Sequence, residues 1–253
     1  MRYMKTSLIA TLSVLLSVNA ASASQPILMV DDDNGRKYES KYQAWFNHAG
    51  LEYICWETKI KGTPSNEVMK PYHTVFWFTG SSYDAINQEE SNQLKLYLDD
   101  HTKHHSLMIT GDKVATSLNH GFNDMNSFLG WYLNCRYIRT DGNAKVGVNE
   151  RSDVFQFAFL PMIFNGYNNF GDYGFNLWGI SEIVKPNDWS HRSNMMPVKN
   201  PSSRGNKDNL ESVAISNNRM FKTVFVAFDL ANEDSYYINE PEFIRTCIDW
   251  LQR

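Results

Sequence analysis

The chain has 253 residues, of which 42% are hydrophobic and 21% are charged, and its formal net charge is −4. This composition is ordinary for a globular protein, and the length is enough for one large α/β domain or two small ones. A mildly acidic chain without a basic run excludes nucleic acid as an expected partner and argues against an anionic membrane surface.

Residues 1–23 have the pattern of a secretory signal peptide. Arg2 and Lys5 give a positive start, an apolar run follows, and residues 21–23 have the small-x-small form of a cleavage site. The apolar run is shorter than the ~20 residues that a membrane span needs, so a membrane anchor is the weaker interpretation. We expect export, either to the periplasm or out of the cell, with no membrane insertion after cleavage. Cleavage would lower the formal charge from −4 to −6, because it removes two basic residues.

The first half of the mature chain alternates short apolar runs with amphipathic segments. The runs predict strands at residues 27–30, 51–56, 73–78 and 107–110. Helical spacing predicts helices at residues 36–49, from Asn87 onward, and in part of 114–129. Asn87 and Glu90 form a capping box, whereas residues 61–71 are polar, contain glycine and proline, and are predicted to be irregular. This order predicts right-handed crossovers in a three-layer, doubly wound α/β domain with a mostly parallel sheet.

The second half of the chain is less regular. Residues 134–138 are predicted to form a strand, and residues 190–209 a polar surface loop. Two further strands, at 212–215 and 223–228, flank an Asn217-Asn218 hairpin signal, and Asn239 with Glu242 caps a final helix. We find no internal repeat and no linker, so residues 24–253 are predicted to form a single domain.

The three cysteines are Cys55, Cys135 and Cys247. An odd number of cysteines in an oxidising compartment predicts one disulfide and one buried free thiol, although the sequence does not select the pair. Their spacing matches no zinc pattern.

The sequence motifs at the strand ends are similar to those of a known family. The relevant segments are Val30-Asp31-Asp32-Asp33, Trp77-Phe78-Thr79-Gly80, Ile109-Thr110-Gly111-Asp112 and Ile248-Asp249-Trp250-Leu251. With the order of elements, they resemble the class I glutamine-amidotransferase-like (flavodoxin-like) domains of exported bacterial proteins, which often accompany secreted peptidases. The resemblance covers most of the mature chain and implies the same fold, although this sequence contains no peptidase domain.

The resemblance also implies that amidotransferase catalysis is absent. In active members a Cys on a tight turn after a strand attacks the glutamine amide, and a His and a Glu near the end of the chain assist it. The equivalent turn is residues 110–113, where Asp112 occupies the nucleophile position. No cysteine follows a strand in such a turn. The C-terminal part of the chain contains only one histidine, His191, and it lies inside a predicted loop. We therefore assign no catalytic residue and expect a catalytically degenerate domain.

Acidic and small residues at the strand ends are the candidate ligand-binding site. The carboxyl ends of parallel strands meet at one edge, where ligands of open α/β folds usually bind. The candidates are Asp31, Asp32, Asp33, Gly80, Ser81 and Asp112. Asp31, Asp33 and Asp112 would form an all-oxygen site for Ca²⁺ or Mg²⁺. The favoured alternative is structural: one Asp caps the helix near Arg36, one accepts loop N–H groups and one is solvated.

Two functional hypotheses follow. The first is a binding or accessory module for an unknown protein, peptide or glycan. The second is a hydrolase of unknown substrate that uses Asp31 or Asp112 as a nucleophile, or a metal at the acidic cluster. Aromatic residues in the passage 165–179 suit a sugar or a peptide, although core packing is the favoured interpretation. The histidines at 101, 104 and 105 are assigned to a helix end and not to a metal.

Overall fold

The structure is a computed structural model. It describes residues 26–82, 84–120, 127–141, 145–147, 154, 174–176, 181–187, 195–197, 211–231 and 239–253. The predicted signal peptide, His191 and most of the aromatic passage 165–179 lie outside the described residues. Among the described helices, none is long and apolar enough to cross a membrane.

A large sheet of nine strands organises the described residues. Its strands are β1 (Ile27–Asp31), β2 (Tyr53–Glu57), β3 (Thr74–Phe78), β4 (Ser106–Thr110), β5 (Cys135–Asp141), β8 (Ser181–Pro186), β9 (Met195–Pro197), β10 (Ser212–Asn218) and β11 (Lys222–Val226). The order is β2-β1-β3-β4-β11-β10-β8-β5, with β9 paired to β10. Strands β2, β1, β3, β4 and β11 are parallel, and β10, β8 and β5 continue the sheet in antiparallel fashion. A separate pair joins β6 (Lys145–Gly147) to β7 (Gly174–Asn176).

Helices cover both faces of the parallel strands. They are α1 (Glu39–His48), α2 (Thr58–Lys61), α3 (Asn66–Met69), α4 (Gln88–Leu98), α5 (Val114–His120), a π-helical turn (Phe128–Tyr132) and α6 (Glu240–Leu251). Apolar residues of α1 and α6 pack on one face of the sheet. Those of α3, α4, α5 and the π-helical turn pack on the other face. Adjacent strand residues such as Met29 and Val30 belong to opposite cores, because strand side chains alternate between faces. The predicted three-layer α/β fold is confirmed.

The strand order creates a topological switch point between β1 and β3. From β1 the chain passes outward to β2, and it then crosses back to β3 on the other side of β1. Asp31, Phe78, Thr110 and Val226 occupy one row across the sheet, so the loops after these four residues share one edge. In doubly wound folds the crevice at such a switch point is the usual ligand position.

Several local predictions differ from the structure. The segment 61–71 contains helix α3, and Met69 anchors that helix in the core. The hairpin is present, but Asn217 and Asn218 pair with Thr223 and Lys222, so the turn is formed by residues 219–221. Strand β9 occupies part of the predicted loop 190–209. Short elements of this kind are fixed by tertiary packing, which periodicity does not report.

The predicted disulfide is wrong, because Cys55, Cys135 and Cys247 are all free thiols. Cys247 on α6 and Cys135 at the start of β5 lie in the cores on opposite faces of the sheet. Cys55 lies in β2 at the sheet margin. Sequence spacing alone could not show that the sheet separates the two buried thiols.

Candidate functional site

Asp33 is fully buried and organises the loop between β1 and α1. Its Oδ1 accepts the backbone N–H groups of Gly35 (2.7 Å) and Arg36 (2.8 Å), and its Oδ2 accepts that of Tyr38 (2.9 Å). A carboxylate that receives three amides fixes a loop before a helix in the way that a helix cap does. This contact matches the structural alternative considered for the acidic run.

Asp32 bridges the loop to two neighbouring elements. Its Oδ1 accepts the hydroxyl of Thr58 (2.8 Å), and its Oδ2 accepts the indole N–H of Trp77 (3.1 Å). Burial, together with the negative charge of Glu90, raises the pKa of Asp32 to about 7. The side chain is therefore bound within the protein, and the expectation that one aspartate of the run is simply solvated does not describe it.

Asp31 lies in a group of carboxylates with Asp33 and Glu39. One carboxylate oxygen from each lies within 4.8 Å of the others, and Glu39 is the first residue of α1. Burial raises the pKa of Asp31 to about 7, and the charges of Asp33 and Glu39 add to the effect. The structure thus brings together two of the three predicted metal ligands. Asp112 is not a member of this group, and Glu39, which no sequence pattern marks, takes the third position.

Gly80 and Ser81 lie next to this loop but are engaged by the protein itself. Gly80 has φ +57°, and a Cβ at this position would lie 2.9 Å from Tyr38 Cδ2 and 3.2 Å from Asp33 Cβ. The Arg36 guanidinium donates a hydrogen bond to the hydroxyl of Ser81. The loops after β1 and β3 therefore pack directly on each other, and the glycine is required by this packing.

The turn after β4 has the strand-to-helix geometry that the resemblance predicted. Gly111 has φ +153°, Lys113 has φ 64°, and α5 begins at Val114. Left-handed backbone in a residue other than glycine costs energy and is often found at functional sites. Here the left-handed residue is Lys113, directly after Asp112. No described cysteine lies in this turn.

Asp112 is buried beside Asp229, which follows β11. Its Oδ1 accepts the backbone N–H of Asp229 (3.1 Å), and its own N–H donates to the carbonyl oxygen of Gly80 (2.8 Å). Burial raises the pKa of Asp112 to about 7, and the charges of Asp229 and Glu182 act in the same direction. Asp112 thus connects the ends of β3, β4 and β11 and is nearly inaccessible, at 3% exposure.

Asp229 also fastens helix α1 to the sheet. Its Oδ1 accepts the hydroxyl of Tyr42 (3.0 Å) and the N–H of Ala231 (3.0 Å). Burial raises the pKa of Asp229 and places that of the fully buried Tyr42 well above its ordinary value. Tyr42 lies 187 residues away from Asp229 in the sequence, so no local pattern could identify this pair.

Glu182 on β8 caps helix α5 from a distant part of the chain. Its carboxylate accepts the N–H groups of Ala115 (2.6 Å) and Thr116 (2.7 Å), and also the Thr116 hydroxyl. The side chain is fully buried, and burial raises its pKa to about 7. A carboxyl group of the protein therefore already binds the first-turn amides of the helix that follows the turn. No local motif marks Glu182, so its role could not be predicted from the sequence.

Comparisons with known proteins find similarity in structure but not in sequence. No protein-family model matches the chain, and no curated protein matches it in sequence. A GMP synthase-like protein from Thermoplasma acidophilum is similar in structure, with a TM-score of 0.47, 8% identity, and coverage of 89% of this chain and 93% of that one. A ThuA-like protein from Bacteroides uniformis has a TM-score of 0.49, 12% identity, and coverage of 93% and 94%.

With TM-scores below 0.5, neither structural similarity carries an argument about this chain. The strand order and the two helical layers define the fold on their own: the chain is a three-layer, doubly wound α/β protein with the flavodoxin-like strand order.

Proposed function

We propose that the chain is an exported, non-catalytic binding or accessory protein with a degenerate amidotransferase-like site. The observation that carries the proposal is the turn after β4. It holds Asp112 and Lys113 where an amidotransferase needs its cysteine, and Glu182 occupies the first-turn amides of α5. An oxyanion forming at this turn would meet a buried carboxyl group instead of free N–H donors.

The other polar groups of the edge support the same proposal. Asp32, Asp33, Asp112 and Asp229 all bind backbone or side-chain donors of this chain. A general base or nucleophile has to reach its substrate, and these carboxyl groups are bonded to donors of the protein itself. The edge is therefore built as a rigid support, which suits a surface that presents loops to a partner.

A second candidate function is a hydrolase assisted by a metal ion, and the group formed by Asp31, Asp33 and Glu39 favours it. Carboxylate oxygens are the ligands that Ca²⁺ and Mg²⁺ prefer. Asp31 Oδ1 accepts one weak bond, from Asp33 N at 3.2 Å. Asp33 would bind a cation through Oδ2, which accepts only the Tyr38 N–H, whereas its Oδ1 receives two amides. A bound cation would neutralise the three adjacent charges and polarise a substrate oxygen.

The proposal includes a location and a class of partner. The pattern of residues 1–23 supports export, and the mature protein would begin at Ser24. The acidic charge argues for a protein, peptide or glycan partner and against nucleic acid. N-terminal sequencing of the protein recovered from the periplasm or the medium tests this part, and an uncleaved protein retained in the cytoplasm would refute it.

The function itself is tested by a panel of amide, ester, phosphate and glycoside substrates, with and without Ca²⁺ or Mg²⁺. We expect no turnover above the buffer rate in any condition. Turnover that requires the metal and is lost in Asp31→Asn and Glu39→Gln would establish the hydrolase instead. Glu89→Gln is the matched control, because Glu89 is an exposed acidic residue in the first turn of another helix.

A further inference from the structure

Strand β2 forms one end of the large sheet, and among the described residues it pairs only with β1. The N–H of Ile27 donates to the carbonyl oxygen of Glu52 at 2.9 Å, and Ile27 lies opposite Tyr53 in the parallel register. In a parallel ladder only alternate residues of a strand bond to one neighbour. The backbone groups of Tyr53, Cys55 and Glu57 therefore lie on the outer side of β2, which is a template for pairing with another strand.

The other end of the sheet, β5, has a protection against such pairing that β2 does not have. The register of β5 on β8 shifts between Tyr137 and Arg139, an irregularity of the β-bulge type. Bulges and charged side chains are usual means by which proteins prevent an edge strand from pairing. Strand β2 keeps one continuous register with β1 over all five of its residues. The groups on its outer side therefore have the regular spacing that a further strand needs.

A lysine side chain makes a weak contact on the outer side of β2. Lys61 Nζ donates to the carbonyl oxygen of Cys55 at 3.4 Å in an exposed position, and the same amine lies 5.0 Å from the centre of the Trp56 ring. The contact shows that a donor can reach the Cys55 carbonyl from outside the sheet. The bond is longer than the usual range of roughly 2.7–3.2 Å, so a backbone N–H can replace it at little cost.

The side chains of β2 are only partly covered by the protein. Tyr53 packs against the core on the face of α1 and α6, and Trp56 packs against the core on the other face. Ile54 lies on the same face as Trp56, because side chains alternate along a strand, yet 51% of its surface is exposed. A further strand beside β2 would cover this isoleucine.

We propose that β2 pairs in antiparallel fashion with β2 of a second copy of this chain, about a two-fold axis at Cys55. Such an axis places the same groups on both sides of the interface, so two identical strands can satisfy each other. Cys55 then lies opposite its own equivalent, and Tyr53 of each copy lies opposite Glu57 of the other. Ile54 lies opposite Trp56, an apolar pair of the kind that stabilises antiparallel strands.

The chemistry of β2 favours a second copy as its partner. Glu57 is the one charged residue of the strand, and the two-fold register keeps it away from its own equivalent. The hydroxyl of Tyr53 can instead donate to the Glu57 carboxylate of the second copy. Five paired residues bury less than the roughly 1,200 Å² of a stable interface, so we expect a dimer that dissociates on dilution. The pairing does not depend on the proposed function, because it uses the outer side of β2 and not the loops after the parallel strands.

Sedimentation velocity over a range of protein concentrations tests the dimer. We expect a reversible monomer–dimer equilibrium that Ile54→Lys weakens at least about tenfold, because the variant places an unpaired charge against Trp56. Leu96→Lys is the matched control and should change nothing, since Leu96 is 55% exposed but lies on α4. A protein that is monomeric at every concentration, or a dimer that Ile54→Lys leaves unchanged, would overturn the proposal.

Glu57→Pro tests the pairing of the backbone. The N–H of residue 57 lies on the outer side of β2, and its φ of −91° is extended, so proline removes a donor from the edge without removing a bond to β1. Glu57→Ala removes the same side chain but keeps the N–H. We expect proline to weaken the dimer more than alanine does, with the same urea unfolding in both variants. Equal effects on the dimer would contradict strand pairing.

Cys55 reports the register of the two strands. Residues that lie directly opposite in antiparallel strands have Cα atoms roughly 4.5–5.5 Å apart, which a disulfide can span. An added low-molecular-weight disulfide takes two electrons from the two Cys55 thiols, which release two protons, and is itself reduced to two thiols. Burial raises the pKa of the Cys55 thiol, so the reaction is run at about pH 9 to form the thiolate.

We expect a covalent dimer from this oxidation. It should be lost in Cys55→Ser and kept in Cys247→Ala, since Cys247 is fully buried in the core. Reduction of the cross-link should restore the concentration-dependent equilibrium. A dimer that forms no cross-link through Cys55 would contradict the two-fold register.

Discussion

The carboxylate of Glu182 accepts the backbone N–H of Thr116 at 2.7 Å, which joins β8 to the first turn of α5. The contact links the antiparallel part of the sheet to the helix that follows the turn at Asp112. In an enzyme built on a strand-turn-helix site, amides near this position stabilise the developing negative charge. Here they stabilise the fold, and the consequences can be measured.

Glu182→Ala is expected to lower the free energy of unfolding by about 2 kcal/mol, because two buried N–H groups and a hydroxyl lose their acceptor. Glu182→Gln retains one acceptor oxygen, so a smaller loss is expected. Urea unfolding provides the measurement. Glu67→Ala, which removes an exposed partner of Lys70, is the control, and its effect should stay below about 0.5 kcal/mol. Equal effects at positions 182 and 67 would show that the cap does not contribute.

Gly111→Ala should be among the most damaging single substitutions at the edge. A Cβ there would collide with the Thr79 hydroxyl and lie 3.0 Å from the carbonyl oxygen of Gly80, at φ +153°. We expect a loss of at least about 2 kcal/mol from collision and backbone strain together. Gly62→Ala separates the two causes, since Gly62 has φ +72° but open space around it. Equal losses at both glycines would remove the packing explanation.

Asp33→Ala is expected to cost about 3 kcal/mol, because three loop amides lose their acceptor at a buried site. Asp33→Asn should cost less, since it keeps one oxygen. Chemical unfolding of each variant is measured once in EDTA and once with added Ca²⁺. The loss should be the same with and without Ca²⁺ if the amides are what Asp33 serves. A loss that appears only when Ca²⁺ is present would mean that Asp33 acts as a metal ligand.

The protein should be more stable at pH 5.5 than at pH 8. The pKa values of Asp31, Asp32, Asp112 and Glu182 are each raised to about 7, chiefly by burial. The folded state therefore holds these protons more tightly than the unfolded chain, whose carboxyl groups titrate near pH 4. The resulting stabilisation of the folded state is complete below about pH 4 and is lost as the pH rises through about 7.

Melting temperatures across this range, at constant ionic strength, measure the effect. Asp112→Asn should flatten the curve, whereas Asp249→Asn, at an exposed pair with Arg245, should not. Burial lowers the pKa values of His73 and His105. These two histidines therefore reduce the stability of the fold as the pH falls through about 6.5, which opposes the effect of the carboxyl groups. A melting temperature that rises from pH 5.5 to pH 8 would contradict the carboxyl prediction.

Sequence predicted the parts of this structure that depend on neighbours in the chain. The capping box of Asn87 and Glu90 is present as expected, with Asn87 Oδ1 accepting the N–H of Glu90 at 3.1 Å. The apolar run from Ile27 to Val30 correctly placed β1 in the interior. These features follow from spacing within one element, where propensity and pattern act directly.

The remaining features depend on contacts that no local pattern encodes. Glu39 joins Asp31 only because α1 folds back over the end of β1. Tyr42 finds Asp229, and Glu182 finds Thr116, across most of the domain. Side-chain partners at such separation are set by the assembled sheet, so the acidic residues could be located at the edge but their roles could not be assigned.

Ammonia release from glutamine is the most direct test of the central claim, that the site is an amidotransferase-like scaffold without its chemistry. We expect the protein to release no more ammonia than buffer, and we expect Lys113→Ala and Asp112→Asn to change nothing. Enzymatic release that either variant abolishes would show a working nucleophile at this turn, and the site would then be catalytic.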